Sequence, residues 1–379
     1  MSGSDARIEE IRDWLAGIAG WRHDCRLEPA SADASFRRYF RVWRTDGVAR
    51  VVMDAPPDKE DTAPYLKVSR LLGDCGVHVP DIEEAEPNRG LLLLEDLGRT
   101  PMLSRLNAGG DAAALYGEAL DALGRIQVRG AAGAAQLPRY DRAVLEREMQ
   151  LLPEWYCARH LRLEASCEDR VMLAQSFDFL IREALAQPVV LVHRDYHSRN
   201  LMITDVRSPG VIDFQDALAG PVGYDLVSLL KDCYIAWPRA RVEQWVAGYR
   251  QRLVAVGAVG AVGATGATGA TGTAGAAGAA GASSALAAED GAQFLRWFDM
   301  IGLQRHLKVL GIFARLWYRD GKSGYLADLP LTLEYVLDTS ARYPELRSFN
   351  EWAQRRLAAG LSAANARELS AALPGGNPH

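Results

Sequence analysis

Hydrophobic periodicity changes character once along this chain, near Gly98, and that change constrains the fold more than any other feature. Before it the text is mostly strand-like. Residues 36–42 and 49–53 are separated by Thr45-Asp46-Gly47, a turn signal, so a hairpin is predicted. Pro56 and Pro57 break it, and a helix is expected over 59–72. The run Leu91-Leu-Leu-Leu94 reads as a buried strand that ends at Glu95-Asp96-Leu97-Gly98. One helix precedes all of this, with Ile8, Ile11, Trp14, Leu15 and Ile18 on a common face. After Gly98, residues 112–126, 143–155 and 171–185 carry helical periodicity. Short strands are expected at 189–192, 201–203 and 211–212, the last two around a turn at Ser208-Pro209-Gly210. Helical text then runs to the end. The expected fold is α+β with two lobes: a small β-rich lobe over residues 1–97 and a larger, mainly helical lobe over 98–379.

Composition agrees. A chain of 379 residues with 49% hydrophobic and 24% charged residues is an ordinary globular protein, long enough for two cores. A net charge of −5 lacks the basic footprint of a nucleic-acid binder. Five cysteines, widely spaced and without a CxxC pair, argue against a disulfide framework or a zinc site and fit a reducing, cytoplasmic setting. The start, Met1-Ser-Gly-Ser-Asp-Ala-Arg-Ile-Glu-Glu10, has no apolar core after a basic start, so no signal peptide is expected. No apolar run approaches the roughly 20 residues of a membrane span. From Gly257 to Gly281 glycine falls at every third position, among Ala, Val and Thr. Without proline this spacing supports no collagen helix. The segment at about 255–285 reads as a low-complexity insertion, disordered or loosely helical, in the helical lobe.

The chemistry lies in Leu191-Val-His-Arg-Asp-Tyr-His-Ser-Arg-Asn200 and Gly210-Val-Ile-Asp-Phe-Gln-Asp216. An apolar strand delivers Asp195 into a loop, Asn200 follows five residues later, and Asp213 stands eighteen residues after Asp195. Phosphoryl transfer needs a positioned nucleophile, a positioned metal and charge neutralisation. Asp195 can orient a hydroxyl and accept its proton. Asn200 and Asp213 offer a neutral and an anionic oxygen, the donors Mg²⁺ prefers alongside water and nucleotide phosphates. His193 is expected to pack under the loop, and Asp225 to anchor it from a helix start. His197 and Arg199 are substrate candidates or solvated loop residues. Asp216 is a substrate contact or a buried structural bond.

The pattern H-x-D-x₄-N followed by D-F resembles the catalytic loop and metal motif of eukaryotic-like kinases. The chain as a whole resembles the aminoglycoside phosphotransferase and choline kinase-like family, and within it a subgroup of bacterial anomeric amino-sugar kinases. Segments 33–41, 53–61, 93–98, 302–316 and 318–321 carry this alongside the catalytic stretch. The resemblance implies a protein-kinase-like fold with Asp195 as catalytic base and Asn200 and Asp213 on Mg²⁺. It implies ATP as co-substrate, with residues 1–97 as the nucleotide-binding lobe. The backbone of Glu95, Asp96 and Leu97 would meet the nucleotide base, and residues 35–39 would cover the phosphates. Two departures stand out. The phosphate-covering stretch, with Ser35, Arg37 and Arg38, contains no glycine. Arg37 or Arg38 can offer guanidinium donors to phosphate, or lie on a solvated strand face. Val51-Val-Met53 stands where a third-strand lysine is usual, and Lys59 follows.

The implied activity is phosphorylation of the C1 hydroxyl of N-acetylmuramate or N-acetylglucosamine, in cell-wall peptidoglycan recycling. The implied partners are a small amino sugar and ATP, with no obligate protein partner. Arg305, Lys308, Arg315 and Arg319 can meet an acidic sugar or form a solvated helix face. Trp297, Phe298, Phe313 and Trp317 are expected in the core. Two rival readings remain: an aminoglycoside or other small-alcohol phosphotransferase of the same fold, and a nucleotide-binding scaffold without activity.

Overall fold

The computed structural model describes residues 3–31, 36–265 and 290–372. These divide into two compact units. One comprises residues 1–119 with 199–216, the other residues 120–198 with 217–379.

The first unit is built on an antiparallel sheet of five strands: β1 (Leu27–Ser31), β2 (Arg38–Trp43), β3 (Ala49–Asp54), β4 (Ile82–Glu86) and β5 (Leu91–Glu95), in the order β1-β2-β3-β5-β4. The expected hairpin is β2–β3. Gly47, at φ 84°, closes its turn, which only a residue tolerant of the left-handed region does without strain. β5 is an interior strand between β3 and β4, and all four of its leucines are buried. Helix α1 (Gly3–Ala16) packs Ile11 and Leu15 against Phe40, Val42, Val52, Leu91 and Leu93. Helix α2 (Ala63–Asp74) starts later than expected because Pro64 has no N–H to donate and fits only a first helical turn. The two strands the sequence did not announce, β1 and β4, are the edges. β4 reads Ile-Glu-Glu-Ala-Glu with an exposed middle, the charged edge that discourages further pairing. A short hairpin, β7 (Leu201–Met202) with β8 (Gly210–Val211), belongs to this unit and bridges to His78 and Pro101.

The second unit is mainly helical. It holds α6 (Arg142–Met149), α7 (Cys167–Leu185), α8 (Gly223–Leu230), α9 (Arg239–Thr265) and α10 (Gly291–Asp320), followed by α11 (Leu329–Ala341), α12 (Arg347–Ala353) and α13 (Ala359–Ala372). Helices α3 (Met102–Asn107), α4 (Ala112–Arg129) and α5 (Ala131–Ala134) precede these in the chain, and the division between the units falls inside α4. The expected helix over 143–155 stops early. Pro153 interrupts the donor ladder, and the backbone continues as a π-helical stretch, Leu152–His160. The strand pair β6 (Val189–Val192) and β9 (Leu218–Pro221) is antiparallel, with Val192 opposite Leu218.

The spine of this unit is α10, buried without a break from Trp297 to Gly311. That overturns the solvated-face reading for two of its cations: Arg305 and Lys308 are 4% and 7% exposed. A helix apolar on every side is an interior helix, and charges on it travel inside with their partners. Trp297, Phe298 and Phe313 are core residues, as expected. Of the glycine tract, the part through Thr265 continues α9, and the rest lies outside the described residues.

Candidate active site

Strand β6 ends in the loop that carries Asp195, and its geometry is set by one buried carboxylate. Asp225, in the first turn of α8, accepts the backbone N–H of His193 (2.7 Å) and of Arg194 (3.0 Å). Burial pushes this carboxyl up to about 7, opposed by those two hydrogen bonds. The anchoring role expected of Asp225 is therefore met by two specific bonds. Arg194 sits at φ 79°, a left-handed conformation that costs a non-glycine residue energy and recurs at functional sites. His193 is buried, its Nδ1 accepts the Asp195 N–H (3.3 Å), and its ring meets Tyr196 edge-on, which matches its expected place beneath the loop.

Asp195 is only half-buried by accessible surface but is closely packed about its carboxyl. Burial pushes its proton affinity up. Lys308, His197, Arg305 and Arg194, in that order, pull it down, and they prevail, so the carboxyl lies below its ordinary range. At neutral pH it is a carboxylate, able to accept a proton. Lys308 and Arg305 are the partners that sequence reading left undecided. The available signal was their position among apolar residues on every side of segment 302–316. The loop is fixed further on. The Ser198 N–H (3.0 Å) and hydroxyl both donate to Asp232 Oδ2, and Asp232 Oδ1 takes the Tyr234 N–H at 3.0 Å. This turn brings the half-buried Tyr234 ring to 5.4 Å from that of His197. Neither Asp232 nor Tyr234 had a sequence signature.

The β7–β8 hairpin of the sheet unit places Asn200 beside Asp213. Asn200 Nδ2 donates to Asp213 Oδ2 (3.3 Å), Gln215 Nε2 to Oδ1 (2.8 Å), and the Ile212 N–H to the Asn200 carbonyl (3.1 Å). Asp213, like Arg194, has positive φ (64°). Phe214 is fully buried against Tyr65, ring centroids 4.7 Å apart, and holds the motif from behind. Two oxygen-bearing side chains side by side suit a hard cation that takes its other ligands from phosphate and water. Among the described residues no three His, Cys, Asp or Glu side chains gather as a metal site. Arg199 and Asp216 are exposed, and for Asp216 this overturns the buried-bond alternative.

The other candidates in the sheet unit are differently engaged. Glu95 Oε2 lies 3.2 Å from His78 Nε2 and accepts the Asp81 N–H (3.3 Å). Asp96 pairs with the buried Arg41, Oδ1 to Nη2 2.8 Å, and Arg41 also donates to the Gly98 carbonyl (2.8 Å). Arg41 thus braces the stretch around Leu97, which is itself buried. Arg38 is paired with the fully buried Asp54, Nε to Oδ2 2.9 Å. Arg37 is half-buried. Lys59 is exposed with Asp58 3.5 Å away. Ser35 lies outside the described residues. In the helical unit Arg315 is half-buried, and its Nε has no hydrogen-bond partner among the described residues.

Residues 26–260 match the model of the phosphotransferase enzyme family. The chain is 44% identical over 356 residues to the N-acetylmuramate/N-acetylglucosamine kinase of Pseudomonas aeruginosa, covering 92% of this chain and 96% of that protein. It is 42% identical to the protein of the same name from Neisseria meningitidis serogroup B, covering 89% and 92%. Among solved structures it resembles an ethanolamine kinase of Plasmodium vivax, with TM-score 0.55, 13% identity and 86% and 84% of the two chains covered. It also resembles an amicoumacin kinase in complex with AMP-PNP, Ca²⁺ and Ami, with TM-score 0.54, 16% identity and 91% and 97% covered. These likenesses establish the two-part kinase-like fold of a sheet unit and a helical unit.

Proposed function

Because the chain belongs to the phosphotransferase enzyme family, we propose that it is an ATP-dependent amino-sugar kinase acting on N-acetylmuramate, N-acetylglucosamine or both, at the anomeric C1 hydroxyl. Identity above 40% along nearly the whole length to two relatives of that name carries the substrate. The carboxylate state of Asp195 carries the chemistry. Asp195 orients the C1 hydroxyl and takes its proton as the sugar oxygen bonds to the γ-phosphorus. The bond to the bridging oxygen breaks, and ADP leaves. Mg²⁺ held by the oxygens of Asn200 and Asp213 would neutralise charge on the phosphates. Residues 1–97 form the nucleotide-binding lobe in this reading, with the backbone of residues 95–97 toward the base and Arg37 and Lys59 near the phosphates. The His197–Tyr234 ring pair, two residues beyond the base, offers an apolar face to a pyranose, with Arg199, Asp216 and Arg315 as further acceptor contacts. A sugar 1-phosphate made this way serves reuse of cell-wall fragments in the cytoplasm. No helix among the described residues is long and apolar enough to cross a membrane.

The deciding experiment is NMR of the product formed from ATP and each sugar. A phosphorus–H1 coupling on the amino sugar is expected. Phosphate on a kanamycin-type acceptor with none on either sugar would overturn the reading. An Asp195→Asn variant should lose about 10²–10⁴ in turnover. Equal, near-zero turnover in both proteins would favour a scaffold.

A further inference from the structure

Glu148, at the C-terminal end of α6, is 6% exposed and collects four donors. Arg194 Nη2 (2.5 Å) and Lys308 Nζ (3.0 Å) share its Oε1. The Tyr140 hydroxyl and Gln304 Nε2 (3.4 Å) reach Oε2. Lys308 also donates to the Tyr224 hydroxyl at 2.9 Å. Burial raises the proton affinity of Glu148, but Lys308 and Arg194 hold it below the usual carboxylate range. Buried ion pairs of this kind roughly break even against apolar packing, so stability alone does not explain three charges here. Their location does. Arg194 is the residue before Asp195, and Lys308 is the charge that most strongly offsets the burial of Asp195. The other charged groups facing Asp195 are Arg305 from α10, His197 from its own loop and Asp225 from α8. Glu148, Lys308 and Arg194 together contribute a single net positive charge.

We infer that Glu148 and Lys308 are positioning residues that, through Arg194, fix the charge and placement of the Asp195 carboxylate. This rests on Asp195 being the base. Glu148 keeps two cations from closing onto Asp195 and capturing it. Lys308 keeps the local sum positive so that the carboxylate persists in a packed site.

Charge bookkeeping gives the test. Glu148→Gln raises the sum of the three groups to +2, Lys308→Met lowers it to 0, and the double variant restores +1. Each single variant should lose about tenfold or more in kcat, with KM for ATP and sugar within about twofold. The double variant should recover about threefold or more over the worse single. A purely structural ion pair would also favour the double over the singles in stability, so kcat is read on fully folded protein together with its pH profile. The acid limb of activity should move to higher pH in Lys308→Met and to lower pH in Glu148→Gln, shifts that a purely structural role would not produce. A double variant no better than the worse single, losses confined to KM, or singles with wild-type kcat would each overturn the inference. Tyr140→Phe removes a donor from Glu148 without changing charge and should stay within about threefold in kcat. If Glu148→Gln fails to fold, Lys308→Met against Tyr140→Phe and Lys308→Arg decides: only the loss of charge should be costly. The proteins are also ranked on slow transfer of phosphate from ATP to water. Absence of sugar phosphorylation in the wild type counts against the acceptor reading, while the ranking on water still judges the hub.

Discussion

Gly311→Ala should weaken this protein and slow it, although alanine is the better helix former by about 1 kcal/mol. Gly311 lies in the interior helix α10, where it crosses the residue after Gln150. A Cβ there would stand 2.3 Å from the Leu151 carbonyl carbon, 2.4 Å from its oxygen and 2.5 Å from its Cβ. Ordinary carbon contacts begin near 3.5 Å, so the helices must part by about 1 Å, against backbone that cannot rotate away. Overpacking of this severity costs about 3 kcal/mol. The propensity gain offsets a third of that, leaving a net loss of about 2 kcal/mol. The displacement has a chemical consequence. Lys308 is three residues before Gly311 and Glu148 three before Leu151, so the same crossing sets the 3.0 Å ion pair. Parting the helices by about 1 Å stretches that pair to about 4 Å, where its hydrogen bond is lost. Urea midpoints and steady-state turnover measure the two effects. Gly117→Ala and Gly124→Ala in α4 are the controls. Their Cβ atoms would meet nothing within 4 Å, so each should gain about 0.5–1 kcal/mol. A Gly311→Ala protein as stable and as fast as the wild type would refute the reasoning.

Asp213→Asn replaces an anionic oxygen by a neutral one, and the Mg²⁺ concentration for half-maximal turnover should rise by about tenfold or more, read from a metal titration. Asp225 has a folded-state proton affinity raised to about 7, so the stability this group contributes is present at low pH and lost as pH rises toward 7. The difference in unfolding free energy between wild type and Asp225→Asn should therefore shrink from about pH 4 to pH 7, and a difference that grows over that window contradicts the assignment. Tyr234→Leu should raise the KM for sugar by about fivefold and leave that for ATP unchanged, since one stacking contact is worth about 1 kcal/mol. Equal shifts in both constants would remove Tyr234 from the acceptor site.

What was legible in the sequence followed from local rules. The turn at Gly47, the four-leucine run of β5 and the strand–loop–hairpin around Asp195 each announce themselves within a few residues, because turn chemistry and side-chain period act locally. Asn200 and Asp213 were found for the same reason: both lie next to the two strands of one short hairpin. The edge strands β1 and β4 were missed because an edge is half-solvated by design and carries no apolar alternation to read. The support of Asp195 was missed for a different reason. Glu148, Asp232 and Lys308 lie 47, 37 and 113 residues from Asp195, and no pattern near Asp195 points to them. Only the burial of α10 turns Lys308 from a candidate ligand contact into a fixed countercharge, and burial is a property of the whole helical unit. A loop motif can thus name a candidate base, while the ionisation state of that group is set by residues whose sole signature is being charged where everything around them is apolar.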